Sequence, residues 1–551
     1  MATSSTTHVQ HTENTGDKPQ TEAIPPPPGH GESTVHQDDF EKVVEDLEED
    51  WENDPANARN WSVGKKWTAV TIVSLYTFCP PLASSMMAPG LPEVAEKYGI
   101  SNPTVIALTL SIFLASFSIG PLIMAPLSEM YGRKWVLHIA NLFSLAFSLG
   151  CAFSPNTGSL IAFRFLAGLS GSAPIAIGGG SVGDLFAEHE RASAMALFSL
   201  GPLIGPVVGP IAGGFIAQEV GVKWVFIVIA CACGFTSLIG IPLLRETYAP
   251  IIRMRQATRS VDPEAAKRVH PSLQQDDKNK LLSLWINLCR PVILLFRSLI
   301  CFMLSLYMAF QYGILYLMFS TFAEFFSSTY GFSAGIGGLA YLGLGVGFIA
   351  ATLFGGKFAD QIYAYVHTFS LLMVQNVNFA FTQLSAKNGG VGKPEMRIPA
   401  LSFGSLFIPI GLFWYGWSAQ AKLHWIMPII GSAIFGFGVM STFLPIQLYL
   451  VDTFTFAASA LAAAALFRSL LGFAFPLFGT QMYAALGQGG GNSLLAGLAI
   501  VLGIPFPIWI YFKGEEMRAR NPLTATSAKS KPTSAPAAAE VSKVSAEKLP
   551  A

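Results

Sequence analysis

Charge is scarce in this chain. Asp, Glu, Lys and Arg make up 12% of its 551 residues, against roughly 25% in a soluble domain, while 52% are hydrophobic. A soluble fold could not hide that much apolar surface. Acids and bases balance at 34 each, so no bulk field draws the chain to nucleic acid. The six cysteines, Cys79, Cys151, Cys231, Cys233, Cys289 and Cys301, lie in or beside apolar runs without loop pairs, which excludes a disulfide framework. Cys231 and Cys233 point apart on a helix and read as small buried hydrophobes. There is no Gly-Lys-Ser/Thr phosphate loop, no metal-ligand spacing and no nucleophile triad. An enzyme, an ATP-driven pump, a bound metal and a cofactor are therefore not expected, and any work must draw on an ion gradient. No cleavable leader precedes the first apolar run near Trp67, so that run is the expected insertion signal.

What is present is a series of apolar runs, each near the ~20 residues that cross a hydrocarbon core. Twelve spans are expected, at 67–89, 104–126, 135–154, 159–180, 192–216, 224–244, 298–321, 334–355, 398–416, 424–447, 457–479 and 494–512. Arg133, Lys134, Arg191, the basic link 245–290 and the stretch Lys513–Arg520 share one side, against Lys97, Lys223 and Lys422 on the other. Positive charge faces the cytosol, which puts both termini there. The expected organisation is a tail (1–60), a six-helix bundle (61–244), a linker (245–297), a second bundle (298–512) and a tail (513–551). Both tails are too polar to offset ordering entropy.

The halves echo each other. Gly356-Lys357-Phe358-Ala359-Asp360 repeats Ala125-Pro126-Leu127-Ser128-Glu129, Val451-Asp452-Thr453-Phe454 repeats Val182-Gly183-Asp184-Leu185-Phe186, and Ala458-Ser459-Ala460-Leu461-Ala462 repeats Ala192-Ser193-Ala194-Met195-Ala196. This predicts a six-plus-six duplication with a substrate site at the interface of the repeats. The second half is longer between its acidic landmarks, in part through Val366–Gln383, which is too short and polar to span. Two readings stand for that segment: an unspliced short intron, or an amphipathic helix on the membrane surface.

Two motifs narrow the reading further. Ala125-Pro126-Leu127-Ser128-Glu129-Met130-Tyr131-Gly132-Arg133-Lys134 joins two spans, and Gly201-Pro202-Leu203-Ile204-Gly205-Pro206-Val207-Val208-Gly209-Pro210-Ile211-Ala212-Gly213-Gly214 lies within one. They resemble the loop and antiporter motifs of the major facilitator superfamily, with Ala125 and Glu129 where the family pattern has Gly and Asp. With Asp54-Pro55, Asn60-Trp61-Ser62, Gly183-Asp184-Leu185-Phe186, Tyr341-Leu342-Gly343 and Pro445-Ile446-Gln447, residues 50–520 resemble the fungal 12-spanner drug:proton antiporters. The resemblance implies an all-α membrane fold of two pseudo-symmetric bundles. It further implies export of drugs, toxins or secondary metabolites across the plasma membrane in exchange for protons. Polyamine transport, proton-coupled uptake and a transport-dead sensor or scaffold are the rival readings. The expected partners are a small organic substrate, protons and the bilayer, with the chain a monomer.

Site residues follow from these patterns. Glu129, Gly132, Arg133, Lys134 and Asp184 are expected to form a gating latch that breaks when the protein faces inward, with Asp360 and Asp452 as weaker equivalents. An ionisable group in mid-span costs about 2.5–3.5 kcal/mol and asks for a partner or a cavity. Arg164, in a stretch resembling the family's fourth-helix motif, is assigned to proton coupling or, alternatively, to holding backbone carbonyls; Glu324 is the expected acid. Arg468 is expected to line the cavity or to pair with a carboxylate. Gly201, Gly205, Gly209 and Gly213, with Pro206 and Pro210, predict a tight, kinked contact between the halves. Tyr307, Gln311, Tyr312 and Tyr316, expected on one face of span 7, with Gln447 and Tyr449 predict a cavity for bulky apolar or cationic compounds.

Overall fold

The computed structural model describes residues 51–186, 190–259, 289–353, 393–454, 457–521 and 524. Asp360, the segment 366–383 and most of both tails lie outside them. Described residues after Asn53 are almost wholly helical. Among the described residues eleven stretches are long and apolar enough to cross a membrane, and the last, Ser459–Arg520, runs for 62 residues. A straight helix of that length would be about 90 Å long, far more than a bilayer requires. It folds back because the helix Ala457–Gly503 breaks at Gly487, whose φ of 71° and ψ of 170° leave helical space. The spans number twelve once this hairpin is read as two legs.

We label them α1 (Val63–Ser85), α2 (Pro103–Tyr131), α3 (Arg133–Ala152), α4 (Thr157–Leu185), α5 (Arg191–Val220) and α6 (Val222–Leu243). After the linker come α7 (Leu299–Tyr330), α8 (Leu342–Leu353, preceded by the short helix Ala334–Leu339), α9 (Ile398–Gln420) and α10 (Ile426–Thr453). The legs before and after Gly487 are α11 and α12, the latter continued by Pro505–Arg520. Several helices overrun their expected spans: α2 reaches Tyr131 rather than 126, α4 Leu185 rather than 180 and α7 Tyr330 rather than 321. Hydropathy marks where a chain is apolar, whereas a helix continues through the polar interface until something caps it.

The caps are local. Asn102 accepts from the Thr104 amide ahead of Pro103, and Asn156 and Ser159 form a reciprocal capping box on α4. Two glycines with positive φ, Gly132 (96°) and Gly221 (90°), turn the chain between helices in a single residue. Each is followed by a helix start that a distant carboxylate caps. Glu246 accepts from the amides of Arg133 (2.8 Å) and Lys134 (3.3 Å), and Glu93 from that of Val222 (2.9 and 3.0 Å). A negative group at a helix N-terminus satisfies orphan donors and complements the dipole.

The first six helices pack α1 on α5, α2 on α4, and α3 on α4 and α6; the last six pack α9 and α8 on α10, and α7 on the Ala457–Gly503 helix. Between the halves, α2 lies against that long helix and α5 against Ala334–Leu339.

The glycine stripe of α5 requires a correction. A Cβ on Gly201 would stand 3.0 Å from the Phe78 nitrogen, and one on Gly205 2.8 Å from Pro81 and 3.0 Å from the Leu82 nitrogen; Gly209 and Gly213 likewise abut Ser85 and Met86. All these partners are on α1 or its exit, so the stripe packs inside one half rather than between halves. The interface is made by neighbouring residues. Gly214 abuts Gly338, whose absent Cβ leaves room for the Pro210 carbonyl, and Val207 packs against Gly345. A stripe read on one face says how closely a neighbour approaches, and only tertiary structure says which neighbour it is.

Candidate functional site

Four sets of buried polar groups organise the molecule. The first lies at the basic end, the side of the Gly132 turn. Arg133 Nε is 3.4 Å from Asp184, its Nη1 donates to Ser128 Oγ (2.6 Å), and its guanidinium lies 4.6 Å from the Tyr248 ring centre. Thr247 Oγ1 donates to the same Asp184 oxygen (3.4 Å). Burial, reinforced by Glu129, pushes the Tyr248 phenol up from its ordinary pKa, so it stays neutral beneath the cation. Glu129 itself is exposed, and the Lys134 ammonium lies over Trp135 (5.6 Å). The sequence reading missed Glu246, although it is the first carboxylate after α6. Its carboxylate also crowds Gly132, so that glycine is demanded both by its φ and by lack of space.

The second set is the counterpart in the other half. Arg397, at the start of α9, donates to Asp452 at 2.6 Å, 55 positions on, as Arg133 does to Asp184, 51 positions on. This near-equal spacing is the signal in the sequence for Arg397, which the echo of Glu129 in Asp360 masks. Beside it the buried pair Glu395 and Arg518 is bidentate, at 2.7 Å for both Nε and Nη2. Tyr449 donates to Glu395 (3.4 Å), so it belongs to this cluster and not to the cavity.

These ion pairs each stay within one half. The hydrogen bonds that join the halves lie elsewhere: Ser84 to Tyr316 (2.7 Å) at mid-depth, and Gln218 to the Gly335 amide (3.0 Å) and Gln481 to Thr104 (2.7 Å) towards the other end. These contacts between the halves coexist with the Arg133–Asp184 pair. The network braces α3, α4 and the exit of α6 within one half.

The third set is central. Arg164, 2% exposed, donates to four backbone carbonyls: Ala83 (2.8 Å), Ser84 (3.5 Å), Thr109 (3.2 Å) and Leu110 (3.2 Å). Ala83 and Ser84 lie in the last turn of α1, whose carbonyls lack partners within the helix, and the guanidinium takes up both. It also lies 5.1 Å from the Phe113 ring centre. No carboxylate stands beside it among the described residues. The alternative given for Arg164, a clamp on backbone carbonyls, is the geometry observed. Glu324 is exposed, away from this cluster.

From Arg164 a path crosses the interface. Ser84 links it to Tyr316, the Tyr316 ring lies tilted against Tyr312 (5.0 Å between centres), and Tyr312 lies under Arg468 (4.9 Å), whose other aromatic neighbour is Phe443 (5.4 Å). One turn on from Arg468, Gly472 admits both Tyr312 and Leu114 of the first half. The four α7 residues do not share one face. Tyr312 and Tyr316 face α11 and α1, whereas Gln311 accepts from Thr442 on α10 (2.7 Å) and Tyr307 packs against Gly503. A separation of 100° per residue splits the quartet into two pairs. Gln447 is half-buried.

A fourth set lies inside the first half. Tyr76 Oη and His138 Nδ1 are 2.8 Å apart, and Asn141 donates to the Cys233 carbonyl, Thr236 and Ser237. The sequence reading had not singled out His138, although an imidazole in a span is unusual.

Two sets of six spans that meet along a polar path at mid-depth define a polytopic membrane transporter. Comparison with known proteins gives the family. Residues 73–476 match the Major Facilitator Superfamily model. The chain is 43% identical to the MFS-type transporter penM of Penicillium rubens, over 87% of this chain and 91% of that protein. It is 43% identical to the efflux pump vrtL of Penicillium aethiopicum (85% and 90%) and 40% identical to the efflux pump radE of Floropilus chiversii (85% and 84%). The fold is similar to that of the xylose transporter XylE from E. coli in a partially occluded inward open conformation, at a TM-score of 0.57 and 12% identity over 82% of this chain and 98% of that one. The chain belongs to the Major Facilitator Superfamily: it is a multi-pass membrane transporter of small molecules, not an enzyme, and its relatives include fungal efflux pumps.

Proposed function

We propose that this protein exports organic compounds of the drug, toxin or secondary-metabolite class across the plasma membrane in exchange for protons, by alternating access. One observation carries the reading: the halves touch along a central path and at one end, while the strongest ion pairs at the other end stay inside each half. Such a molecule can rock about its middle without breaking either brace. The moving bodies are 61–244 and 298–512. The basic end faces the cytosol by charge placement, with both termini there, so the contacts formed describe an inward-facing state. Relatives named efflux pumps support the direction of transport.

The test is reconstitution into vesicles of known orientation. An imposed pH gradient, acid on the side opposite the basic end, is expected to accelerate movement of an aromatic test substrate toward the acidic side. Indifference to the gradient would overturn proton coupling, and acceleration in the direction of proton flow would replace antiport with symport.

A further inference from the structure

Arg468, half-buried in mid-span, differs from the other arginines of the four sets. Arg133, Arg397 and Arg518 each meet a carboxylate, and Arg164 meets four carbonyls. Arg468 meets neither. Its guanidinium lies between the Tyr312 and Phe443 rings at 4.9 and 5.4 Å, and its buried Nε has no hydrogen-bond partner. Rings cover the faces of the cation and leave its N–H edge free, the edge that binds a carboxylate as a fork. The position is also right for a ligand, since Gly472, one turn on, touches Leu114 of the opposite half and substrate sites of repeat-built transporters lie at that interface.

The spans carry acidic residues only within about two turns of their ends. A cationic ligand at mid-depth would find no counter-charge and would meet Arg468. The aromatic residues there are therefore already engaged by the protein's own cation, which reverses the expectation of cation–π capture of substrate.

We propose that the central site takes an anionic aromatic or amphiphilic substrate, with Arg468 pairing its acidic group and Tyr312 and Phe443 flanking it. This rests on the transporter reading but is tested separately, by binding. Purified protein in nanodiscs is titrated with three probes sharing one ring system, 1-naphthylacetate, 1-naphthylacetamide and 1-naphthylmethylammonium, with ligand-induced shift in unfolding temperature as the readout. The acetate is expected to bind at least tenfold tighter than the amide, and the amine most weakly. Arg468→Gln should bring the acetate to the level of the amide, with Arg468→Lys in between. Equal affinities in the wild type, or preference for the amine, overturns the proposal whether or not the variants fold, as does an acetate preference that survives Arg468→Gln. An acetate preference in a protein that fails to respond to a pH gradient would sink proton exchange and leave the anion site standing.

Discussion

At the residue scale, the two central arginines carry the same charge and opposite surroundings. Arg164 is saturated by carbonyls from α1 and α2; removing it orphans buried acceptors, each at about 1–3 kcal/mol. Arg164→Ala is therefore expected to lower the unfolding temperature and the yield of monodisperse protein, with Arg164→Lys retaining part of both. A normally stable Ala variant would remove the clamp. His138 is the imidazole to examine for proton exchange. It faces Tyr76 from α1, with Lys134 and Trp135 on its own helix, and its Nε2 is buried without a partner. Glutamine can keep a bond to the phenol but cannot take up a proton. His138→Gln is expected to flatten the dependence of transport on pH while leaving binding of substrate intact; an unchanged pH profile would exclude the imidazole.

At the scale of elements, helices are fixed by what caps and abuts them. Glu246 is 8% exposed and holds two amides of the first turn of α3, a contribution of about 0.5–2 kcal/mol by analogy with other caps. Glu246→Ala should loosen that turn, weaken the hold of Arg133 on Asp184 and slow transport at normal membrane abundance, and Glu246→Gln should recover part of the rate. Equal rates for all three proteins would show that the cap is dispensable. Gly205→Leu would drive a side chain into Pro81 and the α1 backbone, an overpacking of about 1–3 kcal/mol inside one half. Reduced folded protein in the membrane is expected, measured by fluorescence-detected gel filtration.

For the whole molecule, the contact that should decide conformation is Gly214 with Ala334 and Gly338. Gly214→Leu falls between the halves and not within one, so it should leave folding intact and keep the far end from closing. Cysteines placed at mid-depth would then become accessible to a membrane-impermeant thiol reagent from the far side, and export would fall. Unchanged labelling would show that the seal lies elsewhere. The contrast between Gly205 and Gly214, nine positions apart on one helix, separates damage to a half from damage to the hinge between halves.

Low charge and the recurrent apolar runs determined by themselves that the chain crosses a membrane many times, because a bilayer imposes length and apolarity on every crossing segment; that it is a transporter was legible only through the resemblance of its loop and Gly-Pro motifs to a known family. The paired arginine and aspartate of the first half were also legible, since both sit at helix ends fixed by those lengths. What the α5 glycines touch, which way Tyr449 and Tyr307 point, and that Glu246 and Arg397 complete the two braces were decided only by tertiary structure. The same holds for Arg164 and Arg468. Sequence places both in mid-span with the same charge, but whether a mid-span cation is satisfied or left open depends on carbonyls and rings brought from other helices, and periodicity along one chain does not specify those.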